Sequence, residues 1–139
     1  MPIASEIRGC SRSSLTLTAE TADGVIYARA RGVVTLAGVA TIRERLSATM
    51  AKASAICVDY SSAALALTDH DLAALAQAAR PGVNGSAMAW LVADQATASL
   101  WRSQALKFAL VGLRRFATCD PSEARWWVEL QSRRAAVPL

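Results

Sequence analysis

The sequence has few of the residues that build metal centres and covalent catalytic sites. It contains three cysteines and one histidine among 139 residues. Cys10, Cys57 and Cys119 are odd in number and far apart, so they supply neither a disulfide framework nor a paired zinc motif. A nucleophilic serine or cysteine needs a base within hydrogen-bond reach, and His70 is the sole imidazole. We therefore predict no catalytic residue, no metal and no cofactor, and a protein that is not an enzyme.

The sequence also lacks a long apolar run. No window reaches the roughly 18 uncharged apolar residues of a membrane span, and Asp94 and Gln95 interrupt the longest candidate, residues 86–101. Glu6 and Arg8 lie where a signal peptide would need apolar residues. Together with the unpaired cysteines, these features lead us to expect a cytoplasmic protein with no transmembrane segment.

The positive charge of the chain is dispersed. The net charge is +4, and clustered Lys and Arg would release counterions on meeting phosphates. Here the basic residues form the pairs Arg114-Arg115 and Arg133-Arg134 and are otherwise scattered. Such a distribution is typical of a solvated surface, so we expect no nucleic-acid partner.

The order of hydrophobic periods predicts a layered α/β fold. Two strand-like runs, 15–19 and 25–32, flank the turn signal Asp23-Gly24 and predict an antiparallel hairpin. Helical and strand periods alternate from Thr35 onward. We predict a mixed sheet of about five strands, with the hairpin at one side, and about four helices.

The chain length predicts one domain. A hydrophobic content of 53% gives enough apolar surface for a core, and the continuous apolar runs 55–58 and 87–93 are typical of buried parallel strands. Residues 1–14 show no sustained period and are expected to form a loose lead-in. The predicted domain spans 15–134, and a frayed tail follows at 135–139.

Capping signals mark two helix starts. Thr68 has Asp71 three positions later, a variant of the capping box. The segment 120–123 supplies an N-cap aspartate, a proline at the first helical position and an acid at the third.

The order of these elements resembles the SpoIIAA-like (STAS/SEC14-type) family of small bacterial proteins. The resemblance is carried by Asp-Tyr-Ser at 59–61 after a buried strand, by a helix that opens at Thr68, and by the closing helix with Glu-Ala-Arg-Trp-Trp-Val at 123–128. It extends over roughly residues 15–131. Members of this family are mostly uncharacterised. The resemblance implies a SpoIIAA-like fold and either a regulatory module of the STAS-like type or, from its SEC14 side, a carrier of a lipid-like ligand.

The anti-sigma-factor antagonists of this type carry a phosphorylated serine in an Asp-Ser-Ser-Gly motif at the start of one helix. The matching stretch here, 67–71, reads Leu-Thr-Asp-His-Asp and lacks both the serine and the glycine. Thr68 is the hydroxyl that could accept a phosphate, and its capping role accounts for it without one. Whether Thr68 is modified stays open.

Polar residues gather after the first buried strand. Open α/β sheets place ligand crevices at the carboxyl ends of their parallel strands, and helix first turns are enriched in Asp and Thr for capping alone. Both interpretations apply to the candidate regulatory or ligand site, which consists of Asp59, Ser61, Ser62, Thr68, Asp69 and His70.

Four tryptophans are the remaining feature. Trp126 and Trp127 are adjacent on a predicted helix and so point about 100° apart. Trp127 shares a core stripe with Ala124 and Val128, which leaves Trp126 half-exposed, and exposed aromatics are enriched at interfaces. Trp101 raises the same possibility one helix earlier. Trp126 and Trp101 are therefore candidate homodimer contacts, unless they cover the edge of a small sheet.

We expect a non-enzymatic cytoplasmic regulatory or protein-interaction module that forms a homodimer and has an unidentified protein partner. The alternative is a carrier or sensor of a small apolar or lipid-like ligand, which needs an apolar cavity. Met88, Trp90, Leu106 and Phe108 could line one. A large empty cavity would favour the carrier, and a filled core with an exposed Trp126 would favour the interaction module.

Overall fold

The computed structural model describes residues 3–8, 14–78, 87–110 and 112–136. The elements in these ranges alternate strands and helices after an all-strand beginning. In chain order they are β1 (Ile3–Arg8), β2 (Ser14–Ala22), β3 (Val25–Val34), α1 (Leu36–Met50), β4 (Ala55–Asp59), β5 (Ala63–Leu65), α2 (Asp69–Ala78), β6 (Ala87–Leu91), α3 (Gln95–Ala109), β7 (Arg115–Thr118) and α4 (Pro121–Ala136).

The described strands form one seven-stranded mixed sheet. Its order is β1-β2-β3-β4-β6-β7, and β5 also pairs with β3. The β1-β2 and β2-β3 pairs are antiparallel, whereas the remaining pairs are parallel. On the side away from β2, β3 pairs with two strands. Its residues 25–29 lie beside β4, and its residues 32–34 lie beside β5.

The hairpin turn between β2 and β3 is where the sequence places it. Asp23 has φ 52° and Gly24 has φ 79°. Two consecutive residues of positive φ match the right-handed twist of the flanking strands. The predicted mixed α/β fold with an N-terminal antiparallel hairpin is therefore confirmed.

The helices lie on both sides of the sheet. On β3, Ile26, Ala28 and Ala30 point into a core cluster that also takes in buried side chains of α1, α2 and α3. Tyr27 and Arg29 alternate with them and point to the opposite side, where α4 packs. α4 lies over β4, β6 and β7, so this side of β2 and of the later half of β3 is exposed.

The predicted loose lead-in is wrong at Ile3–Arg8, which forms the edge strand β1. Its sequence shows no sustained apolar period. Its backbone pairs instead with β2, from Ile3 opposite Ala19 to Arg8 opposite Ser14. The short strand β5 and β1 raise the strand number from about five to seven. α4 continues to Ala136, into the predicted tail, and residues 1, 2, 9–13 and 137–139 lie outside the described residues.

An aromatic cluster fills the core between the sheet and α3. Trp101 makes edge-to-face contacts with Tyr60 and Trp90, at centroid distances of 5.6 and 5.4 Å, and Trp90 contacts Phe108 at 5.4 Å. Trp101 is 5% exposed. The prediction of Trp101 as an interface residue is therefore wrong, because its helix turns this side chain toward the sheet. None of the described helices combines the length and apolarity that crossing a membrane requires.

Candidate functional site

The exposed part of the sheet and the start of α4 enclose an open groove of about 690 Å³. We call it the α4 groove. Its floor is formed by β3 and the end of β4, one wall by the polar face of β2 and the other wall by α4. The side chains that line it include Thr16, Thr18, Glu20, Tyr27, Arg29, Arg31, Cys57, Asp59, Ser122 and Arg125.

An ion pair joins two strands at the groove floor. Arg29 and Asp59 are register partners on β3 and β4, and Arg29 Nε lies 3.2 Å from Asp59 Oδ2. The other carboxylate oxygen, Oδ1, accepts hydrogen bonds from the Ser61 amide at 2.8 Å and the Ser61 hydroxyl at 2.5 Å. Asp59 therefore fixes both the Arg29 side chain and the turn after β4.

A second arginine reaches the groove from α4. The Arg125 guanidinium lies over the Tyr27 ring, 5.7 Å from its centroid, an arrangement that attracts a cation to the ring face. Burial, and then the charge of Glu129, raise the pKa of the Tyr27 hydroxyl. Tyr27 is therefore neutral at physiological pH and serves as an aromatic surface for Arg125.

A third arginine, Arg31, follows Arg29 on the same side of β3. Residues two apart on a strand share a face and lie roughly 7 Å apart. The antiparallel register places Thr18 opposite Arg29 and Thr16 opposite Arg31. Two arginines and two hydroxyls therefore form a rectangle at one end of the groove.

Burial favours the protonated form of the thiol at the groove floor. Burial, and then the nearby Asp59, raise the pKa of Cys57 to about 11. Only the thiolate is a good nucleophile. Cys57 is therefore a small core residue, as its mid-strand position predicts.

The structure divides the predicted polar site between two places. Asp59 and Ser61 meet at the α4 groove. Thr68 lies at the start of α2, which packs on the other side of the sheet through Leu72. The Thr68 amide donates to Asp71 Oδ2 at 3.0 Å, and the Asp71 amide donates to Thr68 Oγ1 at 3.1 Å. The capping box is thus present.

The other predicted site residues are exposed. Ser62 lies in the turn after β4, and Asp69 and His70 lie in the first turn of α2. Among the described residues, no group of three or more His, Cys, Asp or Glu side chains is placed to hold a metal ion. Sequence reasoning missed Arg29, Arg31 and Arg125, although the alternation of Tyr27, Arg29 and Arg31 with small apolar residues signals one shared face.

A solved structure has the same architecture. It is that of an uncharacterised protein of the DUF3478 family from Shewanella loihica PV-4, which has a SpoIIAA-like fold. Its TM-score is 0.53 at 12% sequence identity, and the match covers 87% of this chain and 98% of that chain. This chain has a SpoIIAA-like fold. No protein-family model matches the sequence, and no curated protein matches it.

The core of this SpoIIAA-like fold contains a small apolar cavity of about 70 Å³. Met88, Trp90 and Phe108 line it as predicted, and Trp90 Nε1 donates to Met88 Sδ at 3.2 Å. Leu106 does not line it, because this side chain is 69% exposed on α3.

The outward side of α4 carries the exposed tryptophan. Trp126 is 57% exposed, whereas Trp127 stacks on Phe116 at a centroid distance of 5.5 Å. Leu130, one turn after Trp126, is partly exposed. Glu123 and Arg133 lie one turn before Trp126 and one turn after Leu130 on the same side of the helix. We call Glu123, Trp126, Leu130 and Arg133 the α4 outer face.

Proposed function

We propose that this SpoIIAA-like protein is a non-enzymatic, cytoplasmic regulatory module of the STAS-like type that works by protein–protein contact. We propose further that the α4 outer face pairs it with a second copy of itself. The observation that carries the proposal is the exposure of Trp126, 57%, at the centre of a face whose two ends have opposite charge.

The residue order of the α4 outer face is self-complementary. Trp126 and Leu130 lie equally far before and after Val128, and so do Glu123 and Arg133. If two copies pack α4 antiparallel about Val128, Trp126 meets Leu130 of the second copy. Glu123 then meets Arg133 of the second copy. A two-fold dimer requires such a surface, because the same patch is used twice.

The energetics of this contact favour association. Burying a tryptophan and a leucine removes a large apolar area from water. Among the described residues, Glu123 forms its ion pair with Arg102 at 3.8 Å, and both side chains are more than 40% exposed. Exposed pairs of this kind contribute little, so Glu123 is available to a partner.

The core argues for contact rather than for ligand carriage. Sites for small molecules usually enclose about 300 to 1,000 Å³, whereas the apolar cavity here is about 70 Å³. A lipid-like ligand would have to displace the Tyr60, Trp90, Trp101 and Phe108 cluster.

The polar groups also support a role without catalysis. Ser61 is held by the Asp59 carboxylate, whereas His70 is exposed on α2, which packs on the other side of the sheet. Activation of a serine by histidine needs the two side chains within hydrogen-bond reach, whereas the hydrogen bond that the structure gives the Ser61 hydroxyl is to Asp59, which is already paired with Arg29.

Sedimentation velocity over a range of protein concentrations tests the dimer. We expect the wild-type chain to associate as concentration rises, and Trp126→Ala to weaken association at least tenfold, about the effect of losing an interface anchor. Leu106→Ala is the matched control, because Leu106 is 69% exposed on α3, and it should associate normally. A wild-type chain that stays monomeric at every concentration would disprove the dimer.

Charge reversal tests the antiparallel arrangement. Arg133→Glu alone would face Glu123 of the second copy and should weaken the dimer. The double variant Glu123→Arg with Arg133→Glu restores opposite charges and should recover association. If the double variant does not recover association while Trp126→Ala still weakens it, the two α4 helices meet in a different arrangement.

The proposed cytoplasmic location is supported by the free thiols of Cys57 and Cys119, since disulfides are rare in a reducing compartment. Cell fractionation followed by immunoblotting tests it. Recovery in the membrane or extracellular fraction would contradict the location while leaving the dimer proposal intact.

A further inference from the structure

We propose that the Arg29–Arg31 end of the α4 groove binds a small polyanion with two neighbouring anionic groups, either phosphates or carboxylates. This site lies beside α4 and is distinct from the α4 outer face. The proposal rests on how Arg29 is held, on the exposed charge of Arg31, on the hydroxyls beside both arginines and on the volume of the groove.

Arg29 is fixed through its Nε atom, and its two Nη groups are left for a ligand. Asp59 Oδ2 accepts from Arg29 Nε at 3.2 Å, and among the described side chains Asp59 is the hydrogen-bond and ion-pair partner of this guanidinium. The two terminal Nη groups therefore remain available to an anion. A guanidinium presents its N–H groups in a fixed fork that matches carboxylate and phosphate geometry. Because Asp59 already limits the rotation of Arg29, binding costs less side-chain entropy.

Arg31 supplies the second positive charge. It is exposed, and neither Asp59 nor Glu20, the acidic residues that line the groove, forms an ion pair with it. It lies roughly 7 Å from Arg29 along the strand, so two linked anionic groups can engage both guanidiniums.

Hydroxyl donors lie beside both arginines. Thr18 is the register partner of Arg29, and Thr16 is the register partner of Arg31. Both threonines line the groove. A hydroxyl donates one hydrogen bond to an anionic oxygen, so each anionic group would have an arginine and a threonine.

The acidic residues of the groove do not cancel this charge. Asp59 is already bonded to Arg29 and Ser61. Glu20 is the register partner of Tyr27, and so lies toward the Arg125 end of the groove. Of the acidic residues that line the groove, Asp59 is therefore engaged and Glu20 lies at the opposite end, which leaves the charge of Arg31 to a ligand at the Arg29–Arg31 end.

The volume of the groove suits a small molecule. This volume of about 690 Å³ falls within the usual range for such sites, about 300 to 1,000 Å³. The first amides of α4 are not part of the site, because Asp120 Oδ1 already accepts from the Ser122 amide at 2.9 Å. The Ser122 hydroxyl and Arg125 border the groove on this wall.

An NMR titration of the ¹⁵N-labelled chain tests the site. Inorganic pyrophosphate and citrate are added in separate series, each against sodium chloride of matched ionic strength. We expect saturable amide shifts confined to Thr16, Thr18, Arg29, Arg31 and Ser122. A stronger response to pyrophosphate identifies the phosphate source, and a stronger response to citrate identifies the carboxylate source.

Three variants separate a built site from general charge attraction. Arg31→Gln should weaken binding at least about tenfold, the loss expected for a charge-assisted bond. Arg45→Gln removes the same charge from exposed α1 and should leave binding unchanged. Arg29→Lys keeps the charge but loses the fork, and it should weaken binding several-fold.

Three results would overturn the proposal. One is that neither probe gives a saturable shift. Another is that shifts spread over all basic surfaces. The third is that Arg31→Gln and Arg45→Gln weaken binding equally. Because all three substituted side chains are exposed, well-dispersed amide spectra of the variants will show that the fold is kept.

Discussion

Asp59 holds Arg29 across two neighbouring parallel strands, with Arg29 Nε 3.2 Å from Asp59 Oδ2. The two side chains differ in exposure, because Asp59 is 15% exposed and Arg29 is 52% exposed. Asp59 also accepts two hydrogen bonds from Ser61. The aspartate that follows the buried strand therefore acts as a support for the groove and for the turn after β4, while Arg29 is the residue that faces solvent.

Replacing this support should cost stability. Asp59→Asn keeps the size of the side chain but removes the charge that three hydrogen bonds use. We expect the free energy of unfolding to fall by about 1 to 2 kcal/mol. Urea unfolding followed by circular dichroism measures this change.

The arginine side of the pair provides the control. Arg29→Gln leaves the Ser61 bonds in place and should cost only about 0.5 kcal/mol, as for an exposed ion pair. A double-mutant cycle of the two substitutions isolates their coupling. Equal losses from both single variants would contradict the supporting role of Asp59.

Thr68 is a helix cap, and its removal should weaken α2. Thr68→Ala loses the acceptor of the Asp71 amide, so we expect a loss of about 1 kcal/mol in the free energy of unfolding. Thr68→Ser keeps a hydroxyl and should stay near the wild-type value. Urea unfolding of the wild type and the two variants measures these differences. An alanine variant as stable as the wild type would show that the cap contributes nothing to stability.

Replacement of the two tryptophans named as interface candidates should change the free energy of unfolding by very different amounts. Trp101 is 5% exposed and Trp126 is 57% exposed. Trp101→Ala leaves a cavity beside Tyr60 and Trp90 and should cost about 3 to 5 kcal/mol. Trp126→Ala should change the free energy of unfolding by less than about 0.5 kcal/mol.

This comparison needs dilute protein, so that association does not add to the stability of the wild type. Intrinsic fluorescence in urea suits such concentrations. A large loss of stability in the monomeric Trp126→Ala variant would mean that Trp126 packs within its own chain.

Local chemistry made several elements predictable from the sequence. The positive φ of Asp23 and Gly24 in the hairpin turn, the reciprocal Thr68–Asp71 cap and the Asp120 cap of α4 each depend on residues that are neighbours in sequence. Such features need no knowledge of the rest of the fold. The face of Trp126 was likewise predictable from helical spacing.

The groove depends on contacts between distant segments. Arg29 and Arg31 look like ordinary exposed strand residues, and only the position of α4 over β4, β6 and β7 leaves a groove beside them. The separation of Asp59 from Thr68 has the same origin. The alternation of side chains along β4 determines the face of the sheet on which Asp59 lies, whereas tertiary packing determines the face that α2 covers. β1 was missed because pairing with β2, rather than its own pattern, makes it a strand.

Stability should fall in alkaline solution because two acidic groups are buried. Burial raises the pKa of Tyr60 from 10.0 to about 12 and that of Cys57 from 9.0 to about 11. In the unfolded chain both groups ionise near their ordinary values. Above pH 9 the unfolded state therefore binds fewer protons than the folded state, and the free energy of unfolding decreases as pH rises.

The stabilising contribution of each group is fully present below its ordinary pKa and is lost as pH rises through its folded pKa, which gives a window of pH 9 to 12. Urea unfolding at a series of pH values across this window measures the slope. Tyr60→Phe keeps the ring and removes the ionisable hydroxyl, so its stability should decline less steeply than that of the wild type above pH 10. Lys107→Gln, which removes an exposed charge on α3, should leave that part of the slope unchanged. If Tyr60→Phe and the wild type decline in parallel, the Tyr60 hydroxyl ionises as readily in the folded protein as in the unfolded chain, and the aromatic cluster around it admits water.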